Sequence, residues 1–142
     1  MVVQDLDLSP ARRFLLRGAV LCAVTFALRL WTLPRFVESV DGWCFVRGVV
    51  RYSSVEARPH WPGYPLYIAL GKLLALATGD AARALHLLSA AATSLTALPL
   101  MLLARDWCAA GGADTARAEE AGLVAGLLWA VVPGSWLSGN EI

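Results

Sequence analysis

The stretch FLLRGAVLCAVTFALRLWTL, residues 14–33, decides the fold class of this chain. It is mostly apolar, and its twenty residues, at about 1.5 Å of rise per residue, match the roughly 30 Å hydrocarbon core of a bilayer. Arg17 and Arg29 lie about one turn from its two ends, where long side chains reach the lipid headgroups. The arginine pair just before the stretch predicts a cytoplasmic N-terminus over residues 1–13. The stretch is therefore predicted to be a transmembrane helix.

The composition of the whole chain favours the same environment. Of its 142 residues, 58% are hydrophobic and 16% charged, and its mean hydropathy is +0.59, more apolar than an average soluble domain. The net charge of +1 shows none of the basic excess that nucleic-acid binding requires, so we expect no nucleic-acid partner. The three cysteines are far apart and have no paired spacing, so they support neither a zinc site nor a disulfide framework. The sequence leaves dependence on another metal open.

Two further apolar stretches are long enough to cross a bilayer, and one is too short. Residues 64–78 number only fifteen and carry Lys72 in the middle, whereas a span needs roughly 17 residues or more. We therefore predict a juxtamembrane helix there. The predicted organisation is a transmembrane region over residues 14–142, with spans at about 14–33, 84–104 and 119–137, and an outer loop with juxtamembrane helices over 34–83.

This choice also sets the predicted topology. With residues 64–78 in the interface, the second span runs inward, and Arg105 and Arg117 lie in the cytoplasm, as the positive-inside rule prefers. The arginines of the first loop then lie on the outer face, where they either weaken the topological bias or meet an anionic partner. The prediction is an all-α, multi-span protein of the cell membrane with its N-terminus in the cytoplasm.

Asp41 is the first candidate for chemistry, because it opens the amphipathic stretch 41–52 in the loop that follows the first span. Glu38 lies about one helical turn before it. A carboxylate at the membrane surface can take a proton from an acceptor hydroxyl as a general base. The alternative is that Asp41 or Ser39 caps the helix, which is the commoner use of an acid near a helix start.

The proline-rich segment RPHWPGYP, residues 58–65, presents the second candidate. Its prolines constrain the backbone, so His60 is presented rather than buried and can bind a phosphate or orient a carboxylate. A solvated loop histidine is the competing interpretation. The nearby Arg47, Arg51 and Arg58 suit either a bidentate clamp on phosphate oxygens or contact with anionic lipid headgroups.

Together these motifs resemble a known family. Asp41 after one span, then PHWPGYPLYIALGKL at 59–73 and PGSWLSGNE at 133–141, resemble the N-terminal part of GT-C fold glycosyltransferases. That group includes protein O-mannosyltransferases and the aminoarabinose transferase of lipid A, and the resemblance is closest to a bacterial branch with the motif HPPGYPLY. Trp61 stands here where that branch usually has the first proline of the pair.

The resemblance implies transfer of a sugar from a polyprenyl-phosphate carrier to an acceptor on the outer face of the membrane, with the lipid-linked donor as substrate and no cofactor. It implies that Asp41 is the general base and that His60 lies near the carrier phosphate. The remaining residues expected to bind substrate are Arg58, Tyr64, Glu38 and Glu141. Such enzymes have many more spans, so we expect this chain to be an N-terminal fragment that is inactive alone.

Two other classes of function compete with this one. A small non-enzymatic membrane protein, whose first loop binds a partner or anionic lipid, predicts that Asp41 and His60 are replaceable. A transporter fragment predicts an acid or a broken helix near the bilayer midplane. The predicted spans contain no acid there, and Pro99 is the only helix breaker well inside one.

Overall fold

The computed structural model describes residues 9–37, 39–56, 58–59 and 63–140, with side chains as far as residue 136. This part of the chain is helical, and it has no strand beyond an isolated bridge between Ser53 and Arg58. The predicted all-α class is therefore confirmed for these residues. The helices are α1 (Pro10–Thr32), α2 (Val40–Val50), α3 (Pro65–Thr78), α4 (Ala81–Leu95), α5 (Ala97–Ala110), α6 (Thr115–Val131) and α7 (Pro133–Asn140).

Most helices begin where the local sequence supplies a start signal. Pro10 and Pro65 occupy the first positions of α1 and α3, where a missing N–H costs nothing. Polar side chains cap three more helices, because each accepts a backbone N–H of the first turn. These caps are Ser39 for α2, Asp80 for α4 and Asp114 for α6.

Prolines explain two breaks between consecutive helices. A turn at Thr96 separates α4 from α5, three residues before Pro99, whose ring crowds the preceding turn and which lacks an N–H. Val132 is extended before Pro133 and separates α6 from α7, as expected for a residue that precedes proline. The predicted third span, residues 119–137, is thus divided between two helices.

Two helical runs are long and apolar enough to cross a membrane, namely Pro10–Thr32 and Ala81–Ala110. They cover the first and second predicted spans. α3 has 14 residues and α6 has 17, so both are shorter. The third span and the side of the membrane on which each loop lies stay predictions.

Much of the outer surface is apolar. On α1, Leu16, Val20 and Val24 are each more than half exposed, and on α3 Leu73 and Leu76 are 64% and 86% exposed. Soluble monomers seldom expose apolar patches of this extent, whereas helices in lipid present them to the acyl chains. The surface and the two long apolar helices are consistent with a membrane protein.

Small residues let the long helices approach each other closely. α5 and α6 form a hairpin, and α1 packs against both. A Cβ on Gly122 of α6 would lie 2.6 Å from the Met101 carbonyl oxygen and 2.8 Å from Cζ of Phe14. A glycine is therefore required where these three helices meet.

Arg29 corrects one expectation from the sequence. We predicted that its side chain reaches the headgroups, but it is fully buried. Its guanidinium donates to the Ser135 carbonyl oxygen at 2.7 Å and to the Ser135 Oγ at 3.2 Å, and it lies 4.8 Å from the centre of the Trp136 ring. Two hydrogen bonds and an aromatic face stabilise the charge of the arginine against α7, while its buried Nε has no hydrogen-bond partner among the described residues. The arginine joins the end of α1 to α7.

Candidate functional site

The structure separates the roles of the two capping candidates at the start of α2. Ser39 Oγ accepts the backbone N–H of Gly42 at 2.8 Å, so Ser39 is the N-cap. Asp41 is an exposed residue of the first helical turn. Ser39 therefore supplies the side-chain cap, and the candidacy of Asp41 as a base stays a prediction.

α2 packs directly against the proline-rich segment. Pro59 is fully buried and lies over Gly48, where an added Cβ would be 2.8 Å from Pro59 Cδ and 2.9 Å from Pro59 N. Both distances are well inside ordinary van der Waals contact. Gly48 is thus the point at which the helix that carries Asp41 meets the segment that carries the HWPGYP motif. Asp41 lies seven residues earlier, about 10 Å along the helix axis.

Aromatic contacts connect α2 to α3 on the other side of the motif. The Phe45 ring lies edge-on to the rings of Tyr64 and Tyr67, at centroid distances of 5.2 Å and 5.3 Å, an arrangement that aromatic pairs favour. Tyr67 Oη and Ser89 Oγ are hydrogen-bonded at 2.8 Å, which adds α4. Burial raises the pKa of the Tyr67 phenol, and the hydrogen bond to Ser89 partly opposes that increase.

A small apolar core lies beneath these aromatics. Val49 of α2, Ile68 of α3 and Leu85 of α4 are buried against one another. Gly71 makes the approach possible, because a Cβ there would lie 2.7 Å from Leu85 Cδ2 and 2.9 Å from Val49 Cγ2. The three helices form a support that holds α2 and the start of α3 in fixed relation.

The predicted substrate-binding residues fall into two groups. Arg58 and Tyr64 are described, whereas Glu38, His60 and Glu141 lie outside the described residues. Tyr64 is in the left-handed conformation (φ 42°) and is the N-cap residue of α3. The structure therefore brings α2 together with the Arg58 and Tyr64 ends of the motif.

Arg58 is already partly engaged. Its backbone N–H and C=O pair with Ser53 at 2.8 and 2.9 Å, and its guanidinium forms an ion pair with Glu56 at 3.1 Å. Its buried Nε has no hydrogen-bond partner in the described part of the chain. Arg47 and Arg51 are exposed on α2 and at its C-cap. A three-arginine phosphate clamp stays a prediction.

Sequence reasoning missed a cavity of about 800 Å³ at the junction of the α1–α2 loop with the start of α4. Arg35, Arg83 and His86 line it together with Trp43 of α2. The arginines are far apart in sequence, so spacing alone does not group them. The available signal was the Asp80 cap, which marks the start of α4 and therefore the first-turn position of Arg83.

Among the residues that the structure describes, no three histidine, cysteine or acidic side chains are grouped as metal ligands. The chemistry that the described site can support is proton transfer at Asp41 and anion binding by arginine.

Comparison with known protein families places part of the chain. The family model described as the protein O-mannosyl-transferase TMEM260 N-terminal domain matches residues 53–142. The matched region includes the proline-rich segment, and Asp41 precedes it. No curated protein and no solved structure matches the chain.

Proposed function

Since the chain belongs to the family of the protein O-mannosyl-transferase TMEM260 N-terminal domain, we propose that it acts in a membrane glycosyltransferase of the GT-C type. The proposed reaction moves a sugar from a polyprenyl-phosphate carrier to an acceptor at the outer face of the membrane. The family match over residues 53–142 is the observation that carries the proposal. It supports a glycosyltransferase-like function, and the donor, the acceptor face and the fold type are the proposed details.

The packing around α2 supports the choice of site. A donor with a lipid tail needs a site at the membrane surface, with a base just above it. α2 and α3 are short helices that flank the proline-rich segment, and the contact of Gly48 with Pro59 fixes that segment against α2. This arrangement suits two juxtamembrane helices in an outer loop.

Asp41 is the proposed general base. Its carboxylate takes the proton of the acceptor hydroxyl while that oxygen bonds to the anomeric carbon of the sugar. The bond between the anomeric carbon and the phosphate oxygen breaks, and its electron pair leaves with the carrier phosphate. The proposed substrate-binding residues are Arg58, His60, Tyr64, Glu38 and Glu141.

The proposal includes a multi-pass membrane location. α1 and the Ala81–Ala110 run are the first two spans, residues 119–137 provide the third, and the N-terminus is cytoplasmic. In this topology the end of α1, α2, α3 and the start of α4 all lie at the outer face. The partners are then the bilayer, the lipid-linked donor and the acceptor.

The test is a transfer assay with the complete native protein in nanodiscs. Labelled mannose is supplied either as polyprenyl-phosphate mannose or as a nucleotide sugar, and transfer to the host's exported proteins is measured. We expect transfer from the lipid-linked donor alone. Transfer from the nucleotide sugar alone would contradict the donor class, and no transfer from either donor would favour a non-enzymatic role for the first loop.

A further inference from the structure

The cavity beside α2 has the lining of a site for an amphiphile with an anionic head. Its volume of about 800 Å³ lies within the roughly 300–1,000 Å³ typical of small-molecule sites. Arg35 of the α1–α2 loop and Arg83 of α4 line it. The apolar part of its wall is formed by Leu30, Phe36 and Trp43. Cations and apolar surface thus meet in one concave space.

The two arginines are available for a ligand. Within the described part of the chain, neither Arg35 nor Arg83 has a carboxylate within ion-pair distance of its guanidinium. Asp80 also lines the cavity, but its carboxylate accepts the backbone N–H of Arg83 at 2.6 Å as the cap of α4. His86, which is 4% exposed, forms part of the wall. Among the described lining residues, two guanidinium groups stand against one carboxylate, so this part of the wall is positive.

The start of α4 adds to this field. Ala82, in the first turn, lines the cavity, so the positive end of the helix dipole lies at its wall. Trp43 and Asp41 both belong to α2, so the helix that carries the proposed base also forms part of the cavity wall.

We infer that this cavity holds the phosphate of the lipid-linked sugar donor, with Arg35 and Arg83 as the cations that neutralise it. The inference rests on the proposed function and assigns its phosphate site. Arg58, the cation that the sequence favours, is paired with Glu56, whereas neither cavity arginine forms an ion pair with another described residue. Guanidinium groups placed there stabilise the charge that the carrier phosphate gains as it leaves.

The test is lipid binding by the complete native protein in nanodiscs, measured by native mass spectrometry. Undecaprenyl monophosphate is the probe, with undecaprenol as the phosphate-free comparison and phosphatidylglycerol as an ordinary lipid phosphate. Arg35→Gln and Arg83→Gln are each expected to weaken binding of the probe about tenfold, the loss of one charge-assisted contact. Arg117→Gln is the matched control, because this exposed arginine of α6 pairs with Asp114, the N-cap of that helix, and lies away from the cavity. The affinity of this variant for the probe is expected to equal that of the wild type.

Three results would overturn the inference. They are unchanged binding in both cavity variants, a loss confined to Arg58→Gln, and equal binding of phosphatidylglycerol, which would make the cavity a general lipid site. A separate outcome distinguishes the proposed reaction. If the probe binds through Arg35 and Arg83 but no sugar is transferred, the result supports the phosphate site and contradicts the proposed transferase function.

Discussion

Replacing Gly48 by alanine tests whether close contact between α2 and the proline-rich segment positions the site. The added Cβ would lie 2.8 Å from Pro59 Cδ, 2.9 Å from Pro59 N and 3.0 Å from Ile68 Cδ1. Normal contact needs at least 3.4 Å, so Pro59 must move by roughly half an ångström, and overpacking of this kind costs about 1–3 kcal/mol. Alanine in place of glycine stabilises the helix by about 1 kcal/mol, because its helix propensity is higher. The net loss of folding free energy is thus about 0–2 kcal/mol.

The effect on activity is expected to be larger than the effect on stability. A displacement of about 1 Å in a positioning element can reduce a rate by on the order of 100-fold, and Pro59 immediately precedes His60. We therefore expect Gly48→Ala to reduce sugar transfer at least tenfold while the melting temperature falls by only a few degrees. Transfer is measured in nanodiscs, and melting by tryptophan fluorescence.

Gly134→Ala is the matched control, because a Cβ there meets nothing within 4 Å. Its transfer rate is expected to equal that of the wild type. If Gly48→Ala keeps full activity and stability, the packing of α2 on Pro59 does not position the site, and this part of the reasoning is refuted.

Three further predictions concern two other contacts and the membrane topology. Tyr67→Phe removes the hydrogen bond to Ser89 and should cost about 0.5–1.5 kcal/mol in thermal unfolding; a double variant with Ser89→Ala that shows simple additivity would argue against that bond. Arg29→Lys keeps the charge but loses the planar, two-point contact with α7, so unfolding should be easier by about 1.5–3 kcal/mol, and an unchanged melting temperature would contradict the structural role. In the proposed topology, a membrane-impermeant maleimide should label Cys44 in intact cells and Cys108 only after permeabilisation. Labelling in the opposite order would contradict that topology and indicate the inverted one.

Local sequence signals predicted several helices well. Ser39, one of the two predicted capping residues, caps α2, and the amphipathic stretch 41–52 corresponds to that helix. The length argument for residues 64–78 predicted a short helix, and α3 has 14 residues. These features depend on residues close together in sequence, which is why pattern and capping rules detect them.

Features that depend on tertiary contact were not predictable in the same way. The position of Arg29 in the first apolar stretch predicts an interfacial residue. Its hydrogen-bond partner Ser135 is more than a hundred residues away along the chain, so no local pattern indicates that contact. Arg35 and Arg83 line one cavity only because α4 packs beside the end of α1. The contact between Gly48 and Pro59 likewise needs the folded arrangement.

The most direct test of the central claim is sugar transfer by Asp41→Asn in the complete protein, beside the control Asp106→Asn. Asparagine keeps the shape of the side chain but cannot accept the acceptor's proton, and Asp106 is an exposed acid of α5 that pairs with Arg105. Loss of a general base typically reduces the rate by about 10²–10⁴-fold. We predict that loss for Asp41→Asn, with normal membrane insertion and normal activity of the control. Full transfer by Asp41→Asn would contradict the assignment of Asp41 as the base.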